Sequence, residues 1–207
     1  DLNPKKLTVG FVSADLRNHP VGFFLIDTLK YLSKKKIKLI AYHNSSKADD
    51  LTEKLKKFFY IWNNVSNENN LSLINLIRKN GVHILIDMSG HTAGNRLPIF
   101  INKPAPIQAT WAGHLASTGI PEIDYIIGDK YVTPLENKKQ FAENILQLPN
   151  IWCCLSKPDY QIKKEIYAPA LKNGFITFGC FNNAYKLNDK VIKYWSKLLN
   201  SVPNSKL

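Results

Sequence analysis

Apolar positions along this chain switch between two spacings, and the switches mark its elements. Residues 7–12 form a mostly apolar run that predicts a strand. Polar residues follow, and Pro20 then opens a helix with Leu25, Leu29 and Leu32 recurring on one face. Residues 37–42 predict the next strand. Asp49 and Asp50 suit the start of a second helix, where a carboxylate caps free N–H groups and meets the positive end of the dipole. Leu51, Leu55, Phe58, Phe59 and Trp62 fit the apolar stripe of that helix. A third helix is expected over about 71–79, stopped by Asn80-Gly81. Strands at 82–87, 107–111 and 123–127 follow, with a short helix at 95–101 before Pro104 and Pro106. This alternation predicts an α/β fold: a Rossmann-like parallel sheet with helices on both faces, joined by right-handed crossovers.

The pattern weakens from 150 to 173, where Pro158, Pro169 and mixed charges suggest a linker. Residues 175–178 restart as a strand, and a helix carrying Val191, Trp195, Leu198, Leu199 and Val202 on one stripe follows. The expected division is therefore a lobe at 1–149, a linker at 150–173 and the start of a second Rossmann-like lobe at 174–207. A lone βα unit cannot cover its strand on both faces, so it is expected to pack on the first lobe or to fray.

The 207 residues are 44% hydrophobic and 21% charged, which fits a globular protein and excludes wholesale disorder. No apolar run approaches the length of a membrane span, and no charged-then-apolar leader opens the chain. A start at Asp1 and a stop just past a helix suggest a segment of something longer. The formal charge of +12 invites a nucleic-acid reading. Its lysines are scattered over helix faces, however, and no RNA-binding aromatic signature or zinc-finger spacing accompanies them, so a solvated surface is the better account. Cys153, Cys154 and Cys180 make neither a disulfide framework nor a metal cluster, and the expected compartment is the reducing cytoplasm.

Ligands of open α/β sheets bind beyond the carboxyl ends of the strands. Three loops of the first lobe lie there. The first holds Asp15, Asn18 and His19 ahead of Pro20, which leaves the free N–H groups of a helix facing the cleft, although Asp15 or Asn18 could equally serve as a cap. The second, 87–96, and the third, 111–119, carry glycines that allow close backbone approach, among them Gly113. A fourth element, 179–186, ends in Lys186, which could meet a phosphate as a point charge, although in a chain so rich in lysine a surface lysine is the better account on composition alone. There is no GxGxxG, Walker A or GxSxG motif. The residues alone indicate a cleft-forming protein that handles something phosphorylated, without naming the reaction.

Taken together, these elements resemble one family. Gly10-Phe11-Val12-Ser13-Ala14-Asp15 with Asn18-His19-Pro20-Val21-Gly22 is similar to the opening motif of the O-linked N-acetylglucosamine transferases and their SPINDLY-like bacterial members. The stretch from Asp87 to Leu97, then Pro104-Ala105-Pro106-Ile107-Gln108, looks like the next signature. Trp111-x-Gly113, Thr118-Gly119 and Asp124-Tyr125 continue the resemblance. Phe178-Gly179-x-Phe181-Asn182-Asn183-x-Tyr185-Lys186, Trp195 and Val202-Pro203-Asn204-Ser205 complete it, in order and over nearly the whole chain.

The resemblance implies a two-lobed GT-B glycosyltransferase that transfers N-acetylglucosamine from UDP-N-acetylglucosamine to Ser or Thr hydroxyls of proteins with inversion. It implies a catalytic-site role for His19, with Asp15 and Asn18 lining the same site. Gly113 would contact the donor sugar, Asn183 the nucleotide and Lys186 the diphosphate leaving group. A nucleotide-sugar donor and a protein acceptor are the implied partners, with helical repeats upstream; neither a metal nor another cofactor is required. Other donors, such as GDP-fucose or UDP-glucose, and a non-catalytic protein-binding scaffold are the alternatives. The chain departs from the family at His114-Leu115-Ala116, where an aromatic-Pro-Gly run is common, and this alters the stiffness of the loop after Gly113. Residues 1–207 alone are expected to be inactive and to bind nucleotide weakly.

Overall fold

The computed structural model describes residues 6–33, 37–157 and 167–207. The chain forms two compact units, residues 1–157 and 158–207. In the first, a seven-stranded sheet has the order β3-β2-β1-β4-β5-β6-β7. The strands are β1 (Leu7–Ser13), β2 (Ile37–His43), β3 (Ile61–Asn64), β4 (Ile84–Asp87), β5 (Ile107–Thr110), β6 (Tyr125–Gly128) and β7 (Asn144–Gln147). Every pairing is parallel. The chain first builds outward from β1 to β3 and then returns to build from β4 to β7, so the order reverses between β1 and β4. The loops leaving those two strands are forced apart there, and a crevice opens at their carboxyl ends.

The helices follow the capping chemistry. Helix α1 (Pro20–Leu32) buries Val21, Leu25 and Leu29, and α3 (Asn70–Lys79) buries Leu73, Ile74 and Ile77. Strand positions alternate between two cores, one for each face of the sheet. Val9, Phe11, Leu39, Ala41 and Ile86 join the α1 residues, whereas Val12, Ile40, Tyr42 and Leu85 join those of α3. Helix α2 (Asp50–Lys56) starts at Asp49, whose carboxylate accepts the Thr52 N–H at 3.0 Å while the Thr52 hydroxyl accepts the Asp49 N–H at 3.2 Å. Asp49 also accepts the Asn18 N–H at 2.7 Å, so one cap anchors both a helix and the loop after β1. Burial works to raise its pKa, but the bonds from Asn18 and Thr52 outweigh that and hold it below the usual carboxylate range. Asp49→Ala is expected to cost about 1 kcal/mol in thermal or urea unfolding; an unchanged midpoint would contradict this role.

Three expectations need correction. The stripe ending at Trp62 is not one helix: α2 stops at Lys56, and Ile61–Asn64 is edge strand β3, paired with β2. The chain tightens through i→i+3 bonds from Phe58 to Leu55 and from Phe59 to Lys56, then enters the sheet as the Tyr60 N–H finds the Leu39 carbonyl. Trp62 still reaches the same core as the stripe, packing edge-on to Phe59, so the spacing indicated burial but not the element. The short helix expected at 95–101 is a 3-10 turn over Leu97–Asn102. The strand expected at 175–178 is not a strand; Thr177 forms one isolated parallel bridge with Lys206.

His43 ends β2, fully buried and 5.3 Å from the Trp62 ring. Burial, with Lys56 and Arg17 nearby, lowers its pKa below the ordinary 6.5 despite an opposing bond to the Lys47 carbonyl. The unfolded chain therefore takes up this proton first. Stability present above about pH 6.5 is lost as pH falls below it. Thermal melts of His43→Gln should decline less steeply than wild type from pH 6.5 to about 5; parallel slopes would contradict the assignment.

Residues from Asn150 onward stay on the first unit as far as Lys157. The Trp152 N–H bonds Asp129 at 2.8 Å, its carbonyl accepts the Trp111 indole N–H at 2.7 Å, and the Ser156 N–H reaches the Phe23 carbonyl. Most of the expected linker that follows, 158–166, lies outside the described residues. In the second unit, α4 (Pro169–Asn173) and α5 (Asp189–Ser201) flank a 3-10 turn, Ala184–Lys186, and no described residue is buried. No described helix is long and apolar enough to cross a membrane.

Candidate active site

The loop after β1 is built around Asp15, which is 7% exposed. Its N–H bonds the Ser13 hydroxyl at 3.0 Å, and its carboxylate pairs with the Arg17 guanidinium at 2.9 Å. His19 Nδ1 stands 3.8 Å from the other carboxylate oxygen and accepts the Val21 N–H at 3.3 Å. His19, rather than Asp15 or Asn18, is thus the N-cap of α1, with Pro20 in the first turn as expected. An Nδ1 that accepts leaves the proton of the neutral ring on Nε2, so neutral His19 is a donor at its free edge.

The loops after β4 and β5 pack back to back. Asp87, wholly buried at the end of β4, accepts the Ser89 and Gly90 N–H groups at 3.2 and 2.8 Å and the Thr110 hydroxyl at 2.8 Å. Its burial raises its pKa, against the pull of those hydrogen bonds. A Cβ on Gly113 would stand 2.5 Å from the Met88 carbonyl and the Ser89 nitrogen. One on Gly90, at φ +53°, would stand 2.7 Å from the His114 Cβ. Two glycines therefore let two backbones touch, and Ala112 takes the left-handed φ of 62° to bring Gly113 in.

Two cavities meet at this point. A smaller one of about 220 Å³, mixed in polarity, is lined by Asp15, Arg17, His19, Val21, Thr92, Ala93 and Gly113. A more open, largely apolar one of about 600 Å³ runs past His19, Val21, Phe24, Gly113, Leu115 and Trp152. His19, Val21 and Gly113 border both. The fold thus brings Asp15, His19 and Gly113 together. Asn18 is exposed and lines neither cavity; its backbone is bound by Asp49.

Arg17, Thr92, Phe24 and Trp152 were not evident from sequence. Trp152 lay in the expected linker, and only its return to Asp129 places it. Asp87 was legible only as a carboxylate closing an apolar strand and opening the 87–96 loop; its bonds to Ser89, Gly90 and Thr110 were not. Among the described residues no three His, Cys, Asp or Glu side chains converge to hold a metal ion.

In the second unit Asn183 caps the turn before α5, accepting the Tyr185 N–H at 3.1 Å, and Lys186 ends that turn. Both are exposed. The Lys186 position is two residues ahead of Asn188, the N-cap of α5, so its charge and the positive end of that helix lie close together along the chain.

The model of glycosyl transferase family 41 matches residues 1–157. The chain is 36% identical over 207 residues to the probable UDP-N-acetylglucosamine–peptide N-acetylglucosaminyltransferase SPINDLY of Solanum lycopersicum, covering 98% of this chain and 22% of that protein. It is 37% identical over 213 residues to the protein of the same name from Oryza sativa subsp. japonica, covering 99% of this chain and 23% of that protein. A solved structure of the Thermobaculum terrenum O-GlcNAc transferase mutant K341M superposes with a TM-score of 0.87 at 32% identity, over 97% of this chain and 38% of that one. The chain spans about a fifth of the length of the named relatives. With the family model over three quarters of its length and relatives along nearly all of it, the chain belongs to glycosyl transferase family 41.

Proposed function

We propose that this chain is part of the catalytic region of a protein O-glycosyltransferase that moves N-acetylglucosamine from UDP-N-acetylglucosamine to Ser or Thr hydroxyls with inversion. The observation that carries the reading is the meeting of Asp15, His19 and Gly113 around one small cavity, at the crevice where the strand order reverses. Similarity to proteins named for this donor supplies the substrate class.

The acceptor oxygen attacks the anomeric carbon as the bond from that carbon to the diphosphate oxygen breaks. The bonding pair leaves with the nucleotide, and the hydroxyl proton must go elsewhere. Asp15 supplies a carboxylate held in place by Arg17, and it takes the proton directly or through a water. Neutral His19 donates from Nε2 to an oxygen in the cleft and orients it. The Gly113 backbone, free of a side chain, lets the sugar approach closely. On the resemblance, Lys186 is the residue proposed to meet the negative charge that grows on the diphosphate; the N-cap of α5 lies two residues further along the chain. The protein is proposed to work in the cytoplasm, with further helical repeats completing the acceptor side.

The test is His19→Ala in the full-length protein, read as sugar added to peptides. Transfer should fall about 10²-fold. Full activity in that variant would remove His19 from the chemistry.

A further inference from the structure

The loop after β5, which carries His114-Leu115-Ala116, is held at both ends. At its base, the Trp111 N–H bonds the Asp87 carbonyl, and the Gly113 N–H bonds the Trp111 carbonyl at 2.9 Å. At its far end, Glu143 reaches in from the residue before edge strand β7 and is 2% exposed. One of its oxygens accepts both the Thr118 N–H at 2.7 Å and the Thr118 hydroxyl; the other accepts the Ser117 hydroxyl at 2.9 Å. The Ser117 oxygen in turn accepts the Gly119 and Ala142 N–H groups. Three exposed residues, 114–116, are thus suspended between two fixed points. Glu143 contacts neither cavity and has no part in the proton or charge movements described above.

We propose that Glu143 is a positioning residue: through Thr118 and Ser117 it closes the far end of the 112–119 loop and so fixes Gly113 where the donor sugar docks. The inference rests on the proposed glycosyl transfer. A buried carboxylate with three hydrogen bonds is a costly way to close a surface loop, because any unmatched partner leaves a desolvated charge or polar group behind. Its effect is geometric. With both ends pinned, a three-residue span has few paths open, and the restraint that a proline would place inside the loop is placed at its end.

The experiment uses the full-length protein with Thr118→Val, Thr118→Ser and Glu143→Gln, assayed with UDP-N-acetylglucosamine well below each melting temperature. Amide exchange at Gly113 is followed in parallel. Thr118→Val removes one hydroxyl from the clamp and should raise donor KM about tenfold, leaving acceptor KM unchanged, with faster exchange at Gly113. Glu143→Gln should do the same. Thr118→Ser keeps both donors to Glu143 and should return donor KM to within about twofold of wild type. Lower melting temperatures with unchanged donor KM and unchanged Gly113 exchange would overturn the inference and leave Glu143 a purely structural group. A wild-type protein that transfers no sugar would instead defeat the functional reading. In that event Gly113 exchange still decides the clamp: faster exchange in Thr118→Val alone supports it, and equal exchange in both Thr118 variants overturns it.

Discussion

Lys186→Ala in the full-length protein is expected to lower kcat for sugar transfer about 10²- to 10³-fold while leaving the melting temperature unchanged. The side chain is exposed at the end of a 3-10 turn, so its removal takes no packing from either unit. What it removes is the charge proposed to meet the diphosphate as that group accepts a bonding pair. One cation or donor aimed at charge that develops in the transition state typically accounts for about 10²- to 10³-fold in kcat, and the start of α5, whose N-cap is Asn188, lies two residues further along the chain. Because the charge on the diphosphate grows during the reaction, the loss should fall on kcat more than on donor KM. A variant within twofold of wild type would show that the leaving group is met elsewhere.

Gly113→Ala should damage both fold and function. The added Cβ would stand 2.5 Å from the Met88 carbonyl and the Ser89 nitrogen, and both are backbone atoms that cannot swing aside. The loops after β4 and β5 must then part. Behind them lies Asp87, whose bonds to Ser89, Gly90 and Thr110 hold the same seam. Overpacking of this kind costs about 1–3 kcal/mol. A shift of the loop by about 1 Å is enough to lower kcat/KM about 10²-fold. Thermal melts and transfer assays on one preparation check the two effects together. A variant with an unchanged melting temperature and full transfer would mean that the loops do not touch as described.

Much of the first unit was legible because local signals and burial agree there. Leu25 and Leu29 recur on α1 and both are wholly buried; Asp49 was expected at a helix start and is a cap. Trp62 shows where that legibility ends. Its spacing from Leu55 and Phe59 fits a helix, yet a strand carries it into the same core, because periodicity reports burial and not the hydrogen bonds that achieve it. Strand β7 was missed for a related reason. Asn144–Gln147 is a short edge strand of mixed exposure, and its identity comes from pairing with β6 rather than from its own apolar content.

The candidate site divides in the same way. Asp15 and His19 were visible since they lie between a strand end and a helix start, four residues apart in one loop. Gly113 was visible as a glycine, but the reason for it, contact with Met88 and Ser89, depends on two loops far apart in sequence. Trp152 and Glu143 act through pairings with Asp129, Trp111, Ser117 and Thr118 that no local pattern announces. Asn18 was placed at the site by the resemblance; it is exposed, its backbone is bonded to Asp49, and it lines neither cavity.

The most direct measurement of the central claim is sugar transfer by the full-length protein. Wild type and Lys186→Ala are incubated side by side with UDP-N-acetylglucosamine, UDP-glucose or GDP-fucose and cell extract, and added sugar is read by mass on Ser- and Thr-containing peptides. Wild type is expected to place N-acetylglucosamine on those peptides with the first donor, and the variant to lose that signal. No transfer from any donor, by a folded protein that still binds peptides, would contradict it and make the cleft a protein-binding scaffold.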